Sequence, residues 1–127
     1  MGKSEKPEVG TITWTDLTVE NAEEVKNFYS EVVGWKSTLH DMGGYHDFDI
    51  NAPSTGETVT GICHARGDNA NLPPQWLIYI TVEDVDKSAK RCVELGGKLV
   101  DGPRMMGNSR FCVIQDPAGA VAALISQ

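Results

Sequence analysis

Thr18-Val19-Glu20-Asn21 returns as Thr81-Val82-Glu83-Asp84, an offset of 63 positions in a chain of 127. The same offset lays Leu17 on Ile80, Glu31 on Glu94 and Val32-Val33-Gly34 on Leu95-Gly96-Gly97. Matches spread over a strand-like stretch and the helix-like stretch behind it mark a duplicated unit rather than a chance quartet. Two copies of that length account for nearly the whole sequence. At 13.8 kDa they fit one compact domain made of two similar modules.

Each copy opens with a strand. Residues 11–19 (TITWTDLTV) and 76–82 (WLIYITV) are rich in the β-branched and aromatic side chains that strands favour. A polar residue then caps a helix, Asn21 in the first copy and Asp84 in the second. Val25, Phe28, Tyr29 and Val32 follow the i, i+3, i+4, i+7 rule and predict one apolar stripe facing the core; Val85, Ala89, Cys92, Val93 and Leu95 give a looser one. Gly34 and Gly96-Gly97 stop the helices. Short strand-like runs follow at 36–40, 45–50 and 58–64, and again at 98–100, 110–115 and 121–125, broken by glycine and proline turns. The pattern is βαβββ twice, with a frayed N-terminal arm at 1–9, module one at about 10–64, a linker at 65–75 and module two at about 76–127. The expected fold class is α+β: two tandem βαβββ modules forming a cup-shaped mixed sheet with the helices outside.

Alternation along a strand sorts the two faces. Thr15, Leu17 and Val19 are predicted to pack under the first helix, leaving Trp14, Asp16 and Thr18 opposite; the equivalent face of the second copy carries Leu77, Tyr79 and Thr81. A cup lined in this way is apolar with a few polar groups, which suits a small-molecule pocket. The charge bounds the ligand classes. Eleven Lys and Arg against 18 Asp and Glu give a net charge of −7, without the basic footprint that nucleic acid demands. No apolar run is long enough for a membrane span and no signal-peptide pattern opens the chain, so a cytoplasmic location is expected. Cys63, Cys92 and Cys112 form no C-x-x-C pair and read as buried reduced thiols rather than zinc ligands.

The paired βαβββ pattern, Phe28-Tyr29 with Val33-Gly34-Trp35, Val82-Glu83-Asp84-Val85-Asp86, Leu95-Gly96-Gly97 and Asp116-Pro117-Ala118-Gly119 together resemble the vicinal oxygen chelate superfamily over residues 10–126. That superfamily includes glyoxalase I, extradiol dioxygenases, and fosfomycin- and bleomycin-resistance proteins. The resemblance implies four positions at which metal-dependent members carry His, Glu or Gln, in the first and last strands of each module. Those positions hold Trp14, Gly61, Leu77 and Ala123 here. None offers an imidazole, carboxylate or carbonyl side chain, so no metal and no other cofactor is expected. The alternative is a non-standard metal site drawing on Asp16, His40, His46 and His64.

The candidate ligand-binding residues are Trp14, Asp16, Leu77, Tyr79, Ala123, Arg110, His46 and Met105. Trp14 offers a stacking face. Asp16 on an apolar face requires a partner or a raised pKa, which makes it the candidate acid/base; pairing with Arg110 is the plain structural alternative. His46 and Arg110 are near-equivalent across the repeat and face either the cup or the helices. Met105-Met106 beside Gly107 is a candidate flap, and Tyr45, Cys63 and His64 are further candidates. Cys63 and His64, as strand neighbours, point to opposite faces and give no nucleophile–base pair. The resulting expectation is a metal-independent protein of the glyoxalase and bleomycin-resistance type that binds an aromatic or cationic compound. The alternative is a lyase, isomerase or dioxygenase-like enzyme using Asp16 or a non-standard metal. A small molecule, not nucleic acid or membrane, is the expected partner, and by the resemblance a homodimer is expected.

Overall fold

In the computed structural model of the protein, residues 7–127 are described; most of the arm read at 1–9 therefore lies outside the described residues. The elements in order are β1 (Ile12–Val19), α1 (Ala22–Val33), β2 (Lys36–Asp41), β3 (His46–Asn51), β4 (Thr58–His64), β5 (Trp76–Thr81), α2 (Val85–Glu94), β6 (Lys98–Met106), β7 (Ser109–Gln115) and β8 (Val121–Ser126). A single 3-10 turn, Gly67–Asn69, lies between β4 and β5. The fold is α+β and the βαβββ pattern occurs twice, as the repeat predicts. No helix among the described residues is long and apolar enough to cross a membrane.

The chain divides into two compact units. One is Thr15–Trp76; the other is Leu77–Gln127 with the described residues up to Trp14. In the first, the strands run β2-β3-β4-β1, with β1 parallel to β4 and the other neighbours antiparallel. In the second the order is β5-β8-β7-β6, with β5 parallel to β8 and the others antiparallel. The start of the chain belongs to the second unit because Gly10 N–H donates to the Thr81 carbonyl at 2.8 Å and Thr81 N–H donates to that of Thr11 at 2.9 Å.

Each helix covers one face of its own strands. Under α1 lie Leu17, Ala22, Phe48, Ile50 and Ile62, flanked by Val19, Val25, Tyr29, Trp35 and Trp76. Under α2 lie Val85, Ala89, Cys112 and Leu124, flanked by Ile80, Val82 and Ile114. The predicted facing of Leu17 and Val19 holds. The helix stripes are narrower than the sequence suggests, since Phe28 and Val32 stay 57% and 64% exposed on the flank of α1. Phe28 meets Tyr29 edge-on at 5.1 Å, and Tyr29, which also accepts a hydrogen bond from Trp76 Nε1 at 3.1 Å, carries the contact inward.

Three local expectations are corrected. Asp84 caps α2, its carboxylate accepting from Lys87 N–H at 3.2 Å, but Asn21 does not cap α1: its amide donates to Glu24 Oε1 at 3.0 Å instead. β6 is much longer than the three residues read at 98–100, because the chain passes through Gly102-Pro103 by register shifts rather than stopping there. The position tolerates only glycine: at φ +80° a Cβ would stand 2.8 Å from the Phe111 carbonyl oxygen. Met105 and Met106 consequently lie in β6, opposite Arg110 and Ser109, and not in a free flap.

Candidate functional site

On the first module the face away from α1 is built by alternation against the core. Since Leu17, Phe48, Ile50 and Ile62 point under the helix, Asp16, Thr18, Asp47, Asp49, Gly61 and Cys63 point to the other side. Register then sets them in rows. Gly61 of β4 sits opposite Asp16 of β1 on one side and Asp49 of β3 on the other. Two carboxylate-bearing residues thus flank a position with no side chain. A Cβ at Gly61 would meet only ordinary contacts, 3.6 Å to the Phe48 carbonyl oxygen and 3.9 Å to Asp16 Cβ and Cys63 Sγ.

Electrostatics on this face is strongly negative. Burial pushes the Cys63 thiol far up, and the charges of Asp16, Asp47 and Asp49, with a hydrogen bond to Asp47, push it further. Cys63 is therefore a protonated thiol, not a thiolate nucleophile. Asp49 meets His40 Nδ1 at 3.2 Å while keeping 40% of its side chain exposed. Asp47 is buried and accepts from the His64 backbone N–H at 2.8 Å and contacts His64 Nδ1 at 3.1 Å. Asp16 is half-buried and engaged within the protein.

The second module places its candidates differently. Leu77, Tyr79 and Ala123 share the face away from α2 but are buried, at 1%, 3% and 0% exposure. The Tyr79 ring is stacked on Phe111 at 5.8 Å, and Phe111 in turn lies under the Arg104 guanidinium at 4.9 Å. Arg104 is held by Asp101, with Nη2 2.8 Å from Oδ2. These side chains are packed together rather than lining an open wall. Trp14, by contrast, is 39% exposed.

His46 and Arg110 do not belong to either of these faces. His46 shares the parity of Phe48 and Ile50, and Arg110 that of Cys112, so both lie on the helix side. Arg110 pairs with Asp86 of α2 through two bonds of 3.0 Å, not with Asp16, and its guanidinium holds the Asp86 carboxyl below the usual carboxylate range. Met105, opposite Arg110, is likewise off the face. The sequence reading missed Asp47, Asp49, Asp101 and Arg104. Strict alternation with Phe48 and Ile50 was the available signal for the first two; for Asp101 and Arg104 the glycine-proline pair hid the strand.

The metal positions implied by the resemblance do not fit an ion. Indole, hydrogen, isobutyl and methyl side chains supply no ligand, and no group of three His, Cys, Asp or Glu among the described residues is arranged to hold one. A pocket of about 280 Å³ opens at the end of β1, lined by Thr18, Val19, Asn21, Ala65, Leu72 and Pro74 among others.

Comparisons with known proteins agree with this architecture. A Mycobacterium tuberculosis protein named "Putative glyoxylase CFP32" is 31% identical over 126 residues, covering 98% of this chain and 48% of its own length. The anthracycline biosynthesis protein DnrV of Streptomyces peucetius is 28% identical over 131 residues, 91% of this chain and 46% of its own. The chain thus spans about half the length of these relatives. Among solved structures, a methylmalonyl-CoA epimerase in complex with methylmalonyl-CoA and ammonium superposes with a TM-score of 0.50 at 18% identity, covering 94% of this chain and 96% of that one. A hypothetical protein of Bacillus halodurans C-125 does so at 0.53 and 12%, with the same coverage. These structures share the fold. The sequence model of the Glyoxalase/Bleomycin resistance protein/Dioxygenase superfamily matches residues 11–124, and the chain belongs to that superfamily.

Proposed function

We propose that this protein binds a small organic cation with an aromatic body on the acidic face of the first module, without a protein-held metal. One arrangement carries the reading: the Asp16–Gly61–Asp49 row, in which two carboxylate-bearing residues flank a glycine. Strands are spaced about 4.8 Å apart, so the two backbones stand about 10 Å from each other. That width admits an ammonium or amidinium group between them. The absence of donor side chains at Trp14, Gly61, Leu77 and Ala123 supports metal independence.

A second reading, a lyase or isomerase with Asp16 as acid/base, is favoured by the same register, because Gly61 puts no side chain directly beside that carboxylate. Titration calorimetry with benzamidine, with benzoate as the anionic control, tests the first reading. Saturable benzamidine binding that weakens in salt, with none for benzoate, is the expected result. Equal binding of both overturns it, as does a stoichiometric metal in desalted protein, measured by inductively coupled plasma mass spectrometry.

A further inference from the structure

At the end of β4 the first module brings together four side chains, Asp47, His64, Tyr45 and Arg66, none of which belongs to the Asp16–Gly61–Asp49 row. His64 Nδ1 lies 3.1 Å from Asp47 Oδ1, and the same oxygen accepts the His64 backbone N–H at 2.8 Å. A carboxylate only accepts, so the ring proton belongs on Nδ1 and the Nε2 lone pair is left available. Asp47 is 5% exposed and fixed by these bonds, whereas the His64 side chain keeps 27% exposure. A buried carboxylate orienting a solvent-reachable imidazole is the base-and-orienter arrangement of general acid–base sites. The ring is further held edge-on to Tyr45 at 5.8 Å and against Phe48 at 6.0 Å. The same Tyr45 ring carries the Arg66 guanidinium 3.9 Å from its centroid. No carboxylate among the described residues pairs with Arg66.

We propose that Asp47 and His64 form a proton-transfer dyad for a small organic anion, with His64 Nε2 as the base, Asp47 as the positioning residue and Arg66 as the anchor for the substrate's carboxylate or phosphate. An imidazole and an uncompensated guanidinium flank one phenol ring, so an anion drawn to Arg66 is delivered beside the basic nitrogen. This site shares no residue with the Asp16–Gly61–Asp49 row proposed for the cation.

An activated ester serves as the probe. His64 Nε2 accepts a proton from water as the water oxygen bonds to the ester carbonyl carbon; the carbon–oxygen bond to 4-nitrophenolate then breaks, and the imidazolium returns its proton to solvent. The experiment compares mono-4-nitrophenyl glutarate, an anion, with neutral 4-nitrophenyl acetate. Expected are hydrolysis of both above the rate of equimolar free imidazole and a roughly tenfold preference for the glutarate. Arg66→Gln should abolish the preference for the glutarate, and His64→Gln should bring both rates to background. Asp47→Asn should lower kcat about a hundredfold with KM within about twofold, as expected for a group acting on the transition state through the imidazole. Nitrogen-15 NMR of His64 reads the site without turnover, and circular dichroism confirms that each variant is folded. An Nε2–H tautomer in the wild-type protein, or a folded His64→Gln variant as active as the parent, overturns the proposal.

Discussion

Replacing Asp49 by Asn, and separately Gly61 by Leu, tests the cation site by its two parts, charge and space. A cation centred over Gly61 sits about 5 Å from each flanking carboxylate, half of the two-strand spacing. Coulomb's law gives about 0.8 kcal/mol for each at water-like screening and about 3 kcal/mol at an effective dielectric of 20. The Asp49 side chain is 40% exposed, which places it toward the screened end, at about 1 kcal/mol. Asp49→Asn should therefore raise the benzamidine Kd about fivefold, with a smaller effect in 0.5 M salt. Gly61→Leu fills the position between them instead. A Cβ there meets contacts of 3.6–3.9 Å and Gly61 is buried, so the variant is read only where it melts cooperatively, and its benzamidine affinity should then fall more than tenfold. Titration calorimetry reads both, and scanning calorimetry checks the fold. Benzamidine binding to Gly61→Leu within twofold of the parent would refute the site, whatever Asp49→Asn does.

Other expectations follow from the same structure. Asp84→Ala should cost about 1 kcal/mol, a few degrees in Tm, while Asn21→Ala should be close to neutral, because only Asp84 caps its helix. Phe111→Ala should cost about 3–5 kcal/mol in chemical denaturation, since the ring is 1% exposed and packed between Tyr79 and Arg104; a loss under 1 kcal/mol would mean that this stack is not core. Iodoacetamide at pH 8 should leave Cys63 and Cys112 at least tenfold slower than in unfolded protein: the Cys63 thiol is held up by burial and three carboxylates, and burial pushes Cys112 up to about 11. The Asp86–Arg110 pair stabilises the fold above the usual carboxylate range and loses that contribution as pH falls through the depressed Asp86 value. Arg110→Gln should therefore lower the Tm near neutrality and leave it unchanged in strong acid.

The duplication, the order of elements and the side of the first strand of each module that meets a helix were legible in the sequence, because they depend on local periodicity and on the 63-residue offset alone. Leu17 under α1 and Asp16 opposite it follow from alternation without knowledge of any neighbour. Cross-strand register is a different kind of fact. That Gly61 lies between Asp16 and Asp49 depends on how β4 pairs with β1 and β3, residues far apart in the chain. The depth of burial also lay beyond the sequence: Tyr79 reads as an exposed wall residue until Phe111 is found stacked upon it. Arg110 shows the same limit, since only tertiary packing chose Asp86 over Asp16 as its partner. Met105 shows it in the backbone, where pairing with β7 carried β6 past Gly102-Pro103, two residues that by local rules end a strand. Asp47 and His64 are separated by sixteen residues and meet only because β3 and β4 are antiparallel neighbours. Local rules determined the modules and the faces of their first strands; long-range pairing, which no local propensity encodes, decided which side chains stand together.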